Sequence, residues 1–343
     1  MTICRLILTL ALMVPVVQAD PPVPPVVGSF SGGTVTEKDV ENRGRATLFM
    51  LRQEQYELKA RIIEDLAFEK LLMQEARRRN MTPETLIRDE VEAGLPEPTP
   101  EALQKARREL RQSRQLPSDE SSALAEVRQV LRQRDLEARF RAFRARLLEA
   151  GDFRVDLEPP RAILPERPHS PSRGPKDAPL TLVEFSDFTC PYSRVAQEVL
   201  RRVWELYPGQ VRHIWRALPV EDKVPAQAAL WSQARARYWS FGAQLFAAPT
   251  ALTVDVLKAQ AASHGLGAEE LGKALAQGAQ VQAVDQDLAD AAELGLDSSP
   301  SFVVNGRILR GMPPLAELAR LLNEELRRVG QLPTPEQAAA AAF

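Results

Sequence analysis

Between Thr36 and Ala150 apolar residues recur at three- and four-residue steps or their multiples, as at Leu58, Ile62, Leu66 and Met73 and again at Leu136, Phe140, Phe143 and Leu147. That period predicts amphipathic helices whose stripes need something to pack against. Their starts are marked by capping residues: Thr36 with Asp39, and Thr82-Pro83-Glu84 and Thr99-Pro100-Glu101, where proline suits the first helical turn. Ahead of them, Val27 to Val35 reads as a short strand pair joined by a turn. From Leu180 the pattern changes. An apolar strand to Phe185 is followed by a helix from Pro191 to about Tyr207, a strand from Val211 to Leu218 and a long Ala-rich helical stretch to about Leu294. Ser301 to Leu309 then reads as a hairpin around Asn305-Gly306, and a last helix runs from Pro314 to Val329.

Two domains are therefore expected, a mainly α-helical one over 27–157 and an α/β one over 179–330. The 343 residues are 44% hydrophobic and 26% charged, as in ordinary globular chains. Between them Glu158 to Pro179 is dense in proline and reads as a linker over 158–178. Residues 331–343, with their alanine run, read as a disordered tail or a frayed helical end. At the other end, Arg5, the apolar run Leu6 to Val17 and small residues before Asp20 have the layout of a cleavable secretory signal over 1–19, followed by a Pro-rich linker over 20–26. The apolar run is too short for the roughly 20 residues that span a bilayer, so no membrane span is expected after cleavage. Export, and most simply a periplasmic location, follows.

Charge narrows the partners. Residues 37–149 carry 22 acidic and 23 basic side chains, a dense but balanced field that disfavours nucleic-acid binding. His169, His213 and His264 show no metal-ligand spacing and read as core or surface residues. Trp204, Trp215, Trp231 and Trp239 read as core or groove lining. No phosphate loop or nucleotide fingerprint is present, and no cofactor is expected.

The chemistry concentrates at Cys190-Pro191-Tyr192-Ser193, just after the first strand of the α/β region. Cleavage of the signal would remove Cys4 and leave Cys190 as the only thiol. A single thiol in an oxidising compartment points to a reactive group or an intermolecular partner. At the start of a helix, with proline in the first turn, free N–H groups and the helix dipole favour thiolate over thiol.

Two stretches carry a resemblance. Glu184-Phe185-Ser186-Asp187-Phe188-Thr189-Cys190-Pro191-Tyr192 and Ser299-Pro300-Ser301-Phe302-Val303-Val304-Asn305-Gly306, about 110 residues apart, resemble the active-site turn and the cis-proline segment of DsbA-like oxidoreductases. The resemblance implies a thioredoxin fold with an inserted helical subdomain. It implies that Cys190 attacks disulfides, that Glu184 is the buried acid that helps proton transfer, and that Pro191, Tyr192, Ser299 and a cis-Pro300 contact the substrate. Ser193 departs from the family, which has a second cysteine there. A hydroxyl can hold a thiolate by hydrogen bonding but cannot displace a bound partner. What remains is monothiol chemistry on cysteine-containing or unfolded clients, with glutathione or a separate redox partner supplying the missing thiol. The alternative is a non-redox peptide-binding protein on the same scaffold. The order of elements over Val27 to Asn80, with Ser122 to Leu148 as a returning helix, resembles the N-terminal region of SurA-type chaperones and implies a client-holding scaffold.

Overall fold

In the computed structural model of the protein, residues 25–113, 116–117, 119–248 and 251–341 are described. The expected signal segment, Cys4 and most of the 20–26 linker lie outside these residues.

The chain opens with an antiparallel hairpin, β1 (Val26–Phe30) and β2 (Gly33–Thr36). It leads into the 42-residue helix α1 (Glu37–Arg78). Thr36 caps α1 reciprocally: its hydroxyl accepts from the Asp39 N–H, and the Asp39 carboxylate accepts from the Thr36 N–H at 2.8 Å. After α2 (Pro83–Ile87), which runs on into a π-helical turn at Arg88–Glu92, come α3 (Pro100–Ser113) and the returning helix α4 (Glu120–Ala150). Thr82 caps α2, and Asp119 caps α4.

The two periodic sets read from the sequence fare differently. Phe143 and Leu147 are buried with Phe68, Leu72, Ala76 and Leu86, and Leu136 and Phe140 pack against this cluster. Leu58, Ile62, Leu66 and Met73 do not pack: each is about half exposed, on the side of α1 that faces away. Helix α1 carries two apolar stripes, and periodicity does not say which of them a neighbour will cover. The N-terminal half of α1 instead uses Phe49, which is buried with Phe185, Leu218, Val303 and Ile308 of the second unit. Gln53 donates to the Ile308 carbonyl at 2.9 Å.

The second unit is built on a five-stranded sheet in the order β3-β5-β4-β6-β7. Its strands are β3 (Ser172–Arg173), β4 (Leu180–Ser186), β5 (Val211–Ala217), β6 (Ser301–Val304) and β7 (Arg307–Arg310). Strands β4 and β5 run parallel, as the crossover through α5 (Pro191–Leu206) requires, while the other pairs are antiparallel. The Ala-rich stretch divides into α6 (Val224–Gln233), α7 (Tyr238–Ala247), α8 (Val254–Ser263), α9 (Ala268–Ala276) and α10 (Val281–Glu293). Helices α6 to α9 close over one core, with Trp215, Trp231 and Phe241 in it. Helix α11 (Leu315–Arg328) packs with α5 on the other face. This is a thioredoxin fold with a helical insertion.

Three details refine the sequence reading. Asn305 and Gly306 both have positive φ, 46° and 88°, the two-residue turn that matches the twist of a hairpin. A side chain at Gly306 would also meet the Ala162 carbonyl at 2.8 Å. The expected linker is docked rather than free. Ala162 N–H donates to the Gly306 carbonyl, Arg161 pairs with the buried Glu325, Arg167 pairs with Asp290, and Ser172–Arg173 joins the sheet edge as β3. Proline density signalled the absence of helix but not whether the segment was covered. The tail, read as disordered or frayed, forms a capped helix, α12 (Pro335–Ala340). Its Gln337 is buried, donating to the Leu206 carbonyl and accepting, through its own carbonyl, from Asn323.

Candidate active site

Strand β4 ends at Ser186, and the short loop Asp187-Phe188-Thr189 delivers Cys190 to the first position of α5. Asp187 organises this loop: one carboxylate oxygen accepts from the Thr189 N–H and hydroxyl, the other from the Val220 N–H, and its carbonyl accepts from the Cys190 N–H. Phe188 anchors it, its buried ring in tilted contact with Trp215 and Phe246. Cys190 then serves as the N-cap of α5, with Pro191 in the first turn.

The Ser299–Pro300 peptide is cis. It lies opposite the cysteine, and the Cys190 thiol donates to the Ser299 carbonyl at 3.2 Å. Ser193, one turn into α5, is fully buried, and its hydroxyl oxygen accepts from the Asp187 N–H at 3.3 Å. Its proton is thereby left free for the sulfur.

Partial burial pushes the Cys190 thiol up. The hydroxyl groups of Ser299 and Ser193 and the backbone N–H groups of Ser193 and Tyr192 more than offset this, so the thiol is held below its ordinary value. The Ser299 hydroxyl is buried and makes no hydrogen bond in the structure. Its rotatable proton can turn toward the sulfur and stabilise the thiolate.

The residues singled out from the sequence are thus distributed over three levels. Cys190, Ser193, Ser299 and Pro300 meet at the helix mouth. Pro191 and Tyr192 form its exposed lip, Tyr192 being 67% exposed, and Val195 and Val220 are also exposed. Glu184 sits below, 1% exposed, facing α5 rather than the sulfur. Its two oxygens accept from Gln197 at 2.8 Å and from His213 at 2.9 Å, and the same Gln197 amide reaches the Ser193 carbonyl at 3.3 Å.

Sequence reading missed Asp187, Gln197, His213 and Arg173. The register of β4 with β5, which pairs Leu182 with His213, would have pointed to His213 once Glu184 was chosen. Nothing in the sequence marked Arg173, which lies in the segment read as linker. Among the described residues no cluster of His, Cys, Asp and Glu is arranged to hold a metal ion.

Residues 166–324 match the thioredoxin family, which agrees with the fold and places Cys190 and Pro300 inside the matched segment. The chain is similar to the sodium/proton antiporter NhaA 1 of Mycobacterium sp. (strain KMS), 31% identical over 175 residues, 49% of this chain and 28% of the antiporter. The chain thus spans about a quarter of the length of the curated relatives it matches. Among solved structures it is similar to oxidised BdbD from Bacillus subtilis, with 22% identity over 46% of this chain and 94% of that one and a TM-score of 0.44. It is also similar to a thioredoxin-like oxidoreductase from Silicibacter pomeroyi, with 25% identity over 47% of this chain and 94% of that one, again with a TM-score of 0.44. Among the described residues no helix is long and apolar enough to cross a membrane.

Proposed function

We propose that this chain is an exported thiol-disulfide oxidoreductase that acts through one thiol, with a client-holding helical region. The observation that carries the reading is the setting of Cys190. Its sulfur sits at the N-terminus of α5, facing the carbonyl of Ser299, with hydroxyl and N–H donors that favour its ionised form. Attack of the Cys190 thiolate on a client disulfide forms one new S–S bond and expels one client thiolate, leaving a mixed disulfide. With serine at position 193, release comes from the client's own second thiol, from glutathione or from a separate redox protein. Isomerisation needs only the first of these, because the client's thiol returns the electron pair and the Cys190 thiolate leaves.

The exposed residues Leu51, Leu58, Ile62, Leu66 and Met73 of α1, and Val26, Val27 and Phe30 of the hairpin, support the client-holding part of the proposal. They offer apolar side chains to extended segments of an unfolded chain. This surface also supports a second reading, a peptide-binding protein in which the thiol plays no part.

Incubation with a client protein carrying a non-native disulfide is expected to trap a covalent adduct that Cys190→Ala abolishes. No adduct in the wild type would overturn the redox reading. Suppression of client aggregation that is equal in wild type and Cys190→Ser, together with that absence, would favour the second.

A further inference from the structure

Among the described residues no Lys or Arg forms an ion pair with the carboxylate beneath the active site. Both donors to Glu184, Gln197 and His213, are neutral in the arrangement observed. Arg173 Nε donates to His213 Nδ1 at 3.3 Å, so that nitrogen is an acceptor and the proton lies on Nε2, 2.9 Å from Glu184. An imidazolium would set an N–H against the N–H of Arg173. Burial, the largest influence on His213, also holds the ring below its ordinary value. The contact between His213 and Glu184 is therefore a hydrogen bond from a neutral ring, not an ion pair.

Arg173 is a positive charge one imidazole further out. It is held there by two indoles, its guanidinium lying 4.6 Å from the Trp204 ring centre and 4.3 Å from that of Trp239. Strand β3, which carries Arg173, can approach β5 because the next residue is Gly174. A side chain on Gly174 would come within 2.1 Å of the Val211 carbonyl, and its φ of +89° is open to glycine. The other titratable groups near the chain of contacts are Tyr238 of α7, which feels the charges of Glu184, Asp287 and Arg173, and Asp287 of α10, which is engaged by Arg216 and the Ala217 N–H.

We propose that Arg173 is the counter-charge of the carboxylate beneath Cys190, that it acts across the His213 ring, and that Arg173 and His213 are positioning residues for the thiolate. The proposal rests on the reading that Cys190 reacts as a thiolate. The carboxylate and the thiolate are like charges on either side of the first turns of α5. Gln197 joins Glu184 to the Ser193 carbonyl, in the first turn of the helix that Cys190 caps. A compensated carboxylate lets the thiolate persist at lower pH; an uncompensated one opposes it.

The test is the rate of Cys190 alkylation by iodoacetamide as a function of pH in the wild type, Arg173→Gln, Glu184→Gln and the double variant. Arg173→Gln is expected to move the midpoint upward by roughly 0.5 to 1 pH unit, slowing alkylation below it about three- to tenfold. Arg173→Lys is expected to restore most of the rate. In the Glu184→Gln background the same Arg173→Gln change is expected to alter the rate less than about twofold, because the charge it compensated is gone. An equal shift in both backgrounds, or none in either, would overturn the proposal. Nitrogen NMR of the wild-type histidines gives a readout that needs no variant and no reactive thiol. His213 should show a protonated Nε2 and an acceptor Nδ1 at neutral pH. A charged ring or the opposite tautomer would overturn the relay even if Cys190 proved reactive. An unperturbed wild-type alkylation midpoint with the expected tautomer would instead count against the thiolate reading alone.

Discussion

Ser193→Ala isolates the residue that distinguishes this site from a dithiol one. In the structure the Ser193 hydroxyl does two things: its oxygen accepts from the Asp187 N–H at 3.3 Å, and its proton faces the sulfur. A hydrogen bond to a charged group contributes about 1.5–3 kcal/mol when buried. Cys190 is partly exposed, so solvent screening reduces this to about 1 kcal/mol. At 1.36 kcal/mol per pH unit, the thiol should ionise roughly 0.7 unit higher in the variant. Alkylation well below the midpoint should then slow about fivefold, and thiolate absorbance in the ultraviolet should titrate with the same displacement. Separately, the Asp187 N–H loses its acceptor in a residue only 4% exposed, which should cost about 1–2 kcal/mol of stability in a denaturant melt. The two readouts decide between roles. A loss of stability with an unmoved midpoint would show that the hydroxyl holds the loop and does nothing for the sulfur, refuting the argument.

Two further outcomes follow from the same geometry. Ser193→Cys places a second sulfur one turn from the first, where residues three apart on a helix bring their Cβ atoms within about 5–6 Å. Its mixed disulfides should be released internally, so that adducts which accumulate in the wild type fail to accumulate in the variant, as read on non-reducing gels. Equal accumulation in both would refute this. The second concerns pH. Because the folded thiol is held below its ordinary value of 9.0, the native state binds the proton less tightly than the unfolded chain. The resulting stability is present above the ordinary value and is lost as pH falls through the folded value. The Tm of wild type minus that of Cys190→Ser should therefore grow as pH rises toward 9 and vanish on acidification, a trend that differential scanning fluorimetry reads directly. A difference independent of pH would contradict a stabilised thiolate.

Some of this protein was legible in the chain because the signals are local. Caps at Thr36 and Thr82, the Asn305-Gly306 turn and the proline after Cys190 act within a few residues, so the sequence alone determines where α1, α2, α5 and the β6–β7 hairpin begin or turn. The apolar run from Leu180 to Phe185 is likewise readable as a strand, and it lies within β4. Recognition of Cys190 and the Ser299–Pro300 pair came from two matched stretches, with Ser193 noted as the departure beside them, and folding brings Ser193 and Ser299 to Cys190.

What only tertiary structure decided is which surfaces are covered and which distant groups meet. Two stripes on α1 obey the same period, yet Phe68 and Leu72 are buried while Leu58 and Ile62 are open, because α4 can lie against only one side. The proline-rich segment shows no periodicity at all, and still its arginines find Glu325 and Asp290 and its end becomes the sheet edge. The Arg173–His213–Glu184 contacts join residues from three strands, and of these only Glu184 stood out in one dimension, while His213 read as core or surface and Arg173 as linker. Their meaning arises from strand register, which long-range pairing sets and no local propensity encodes.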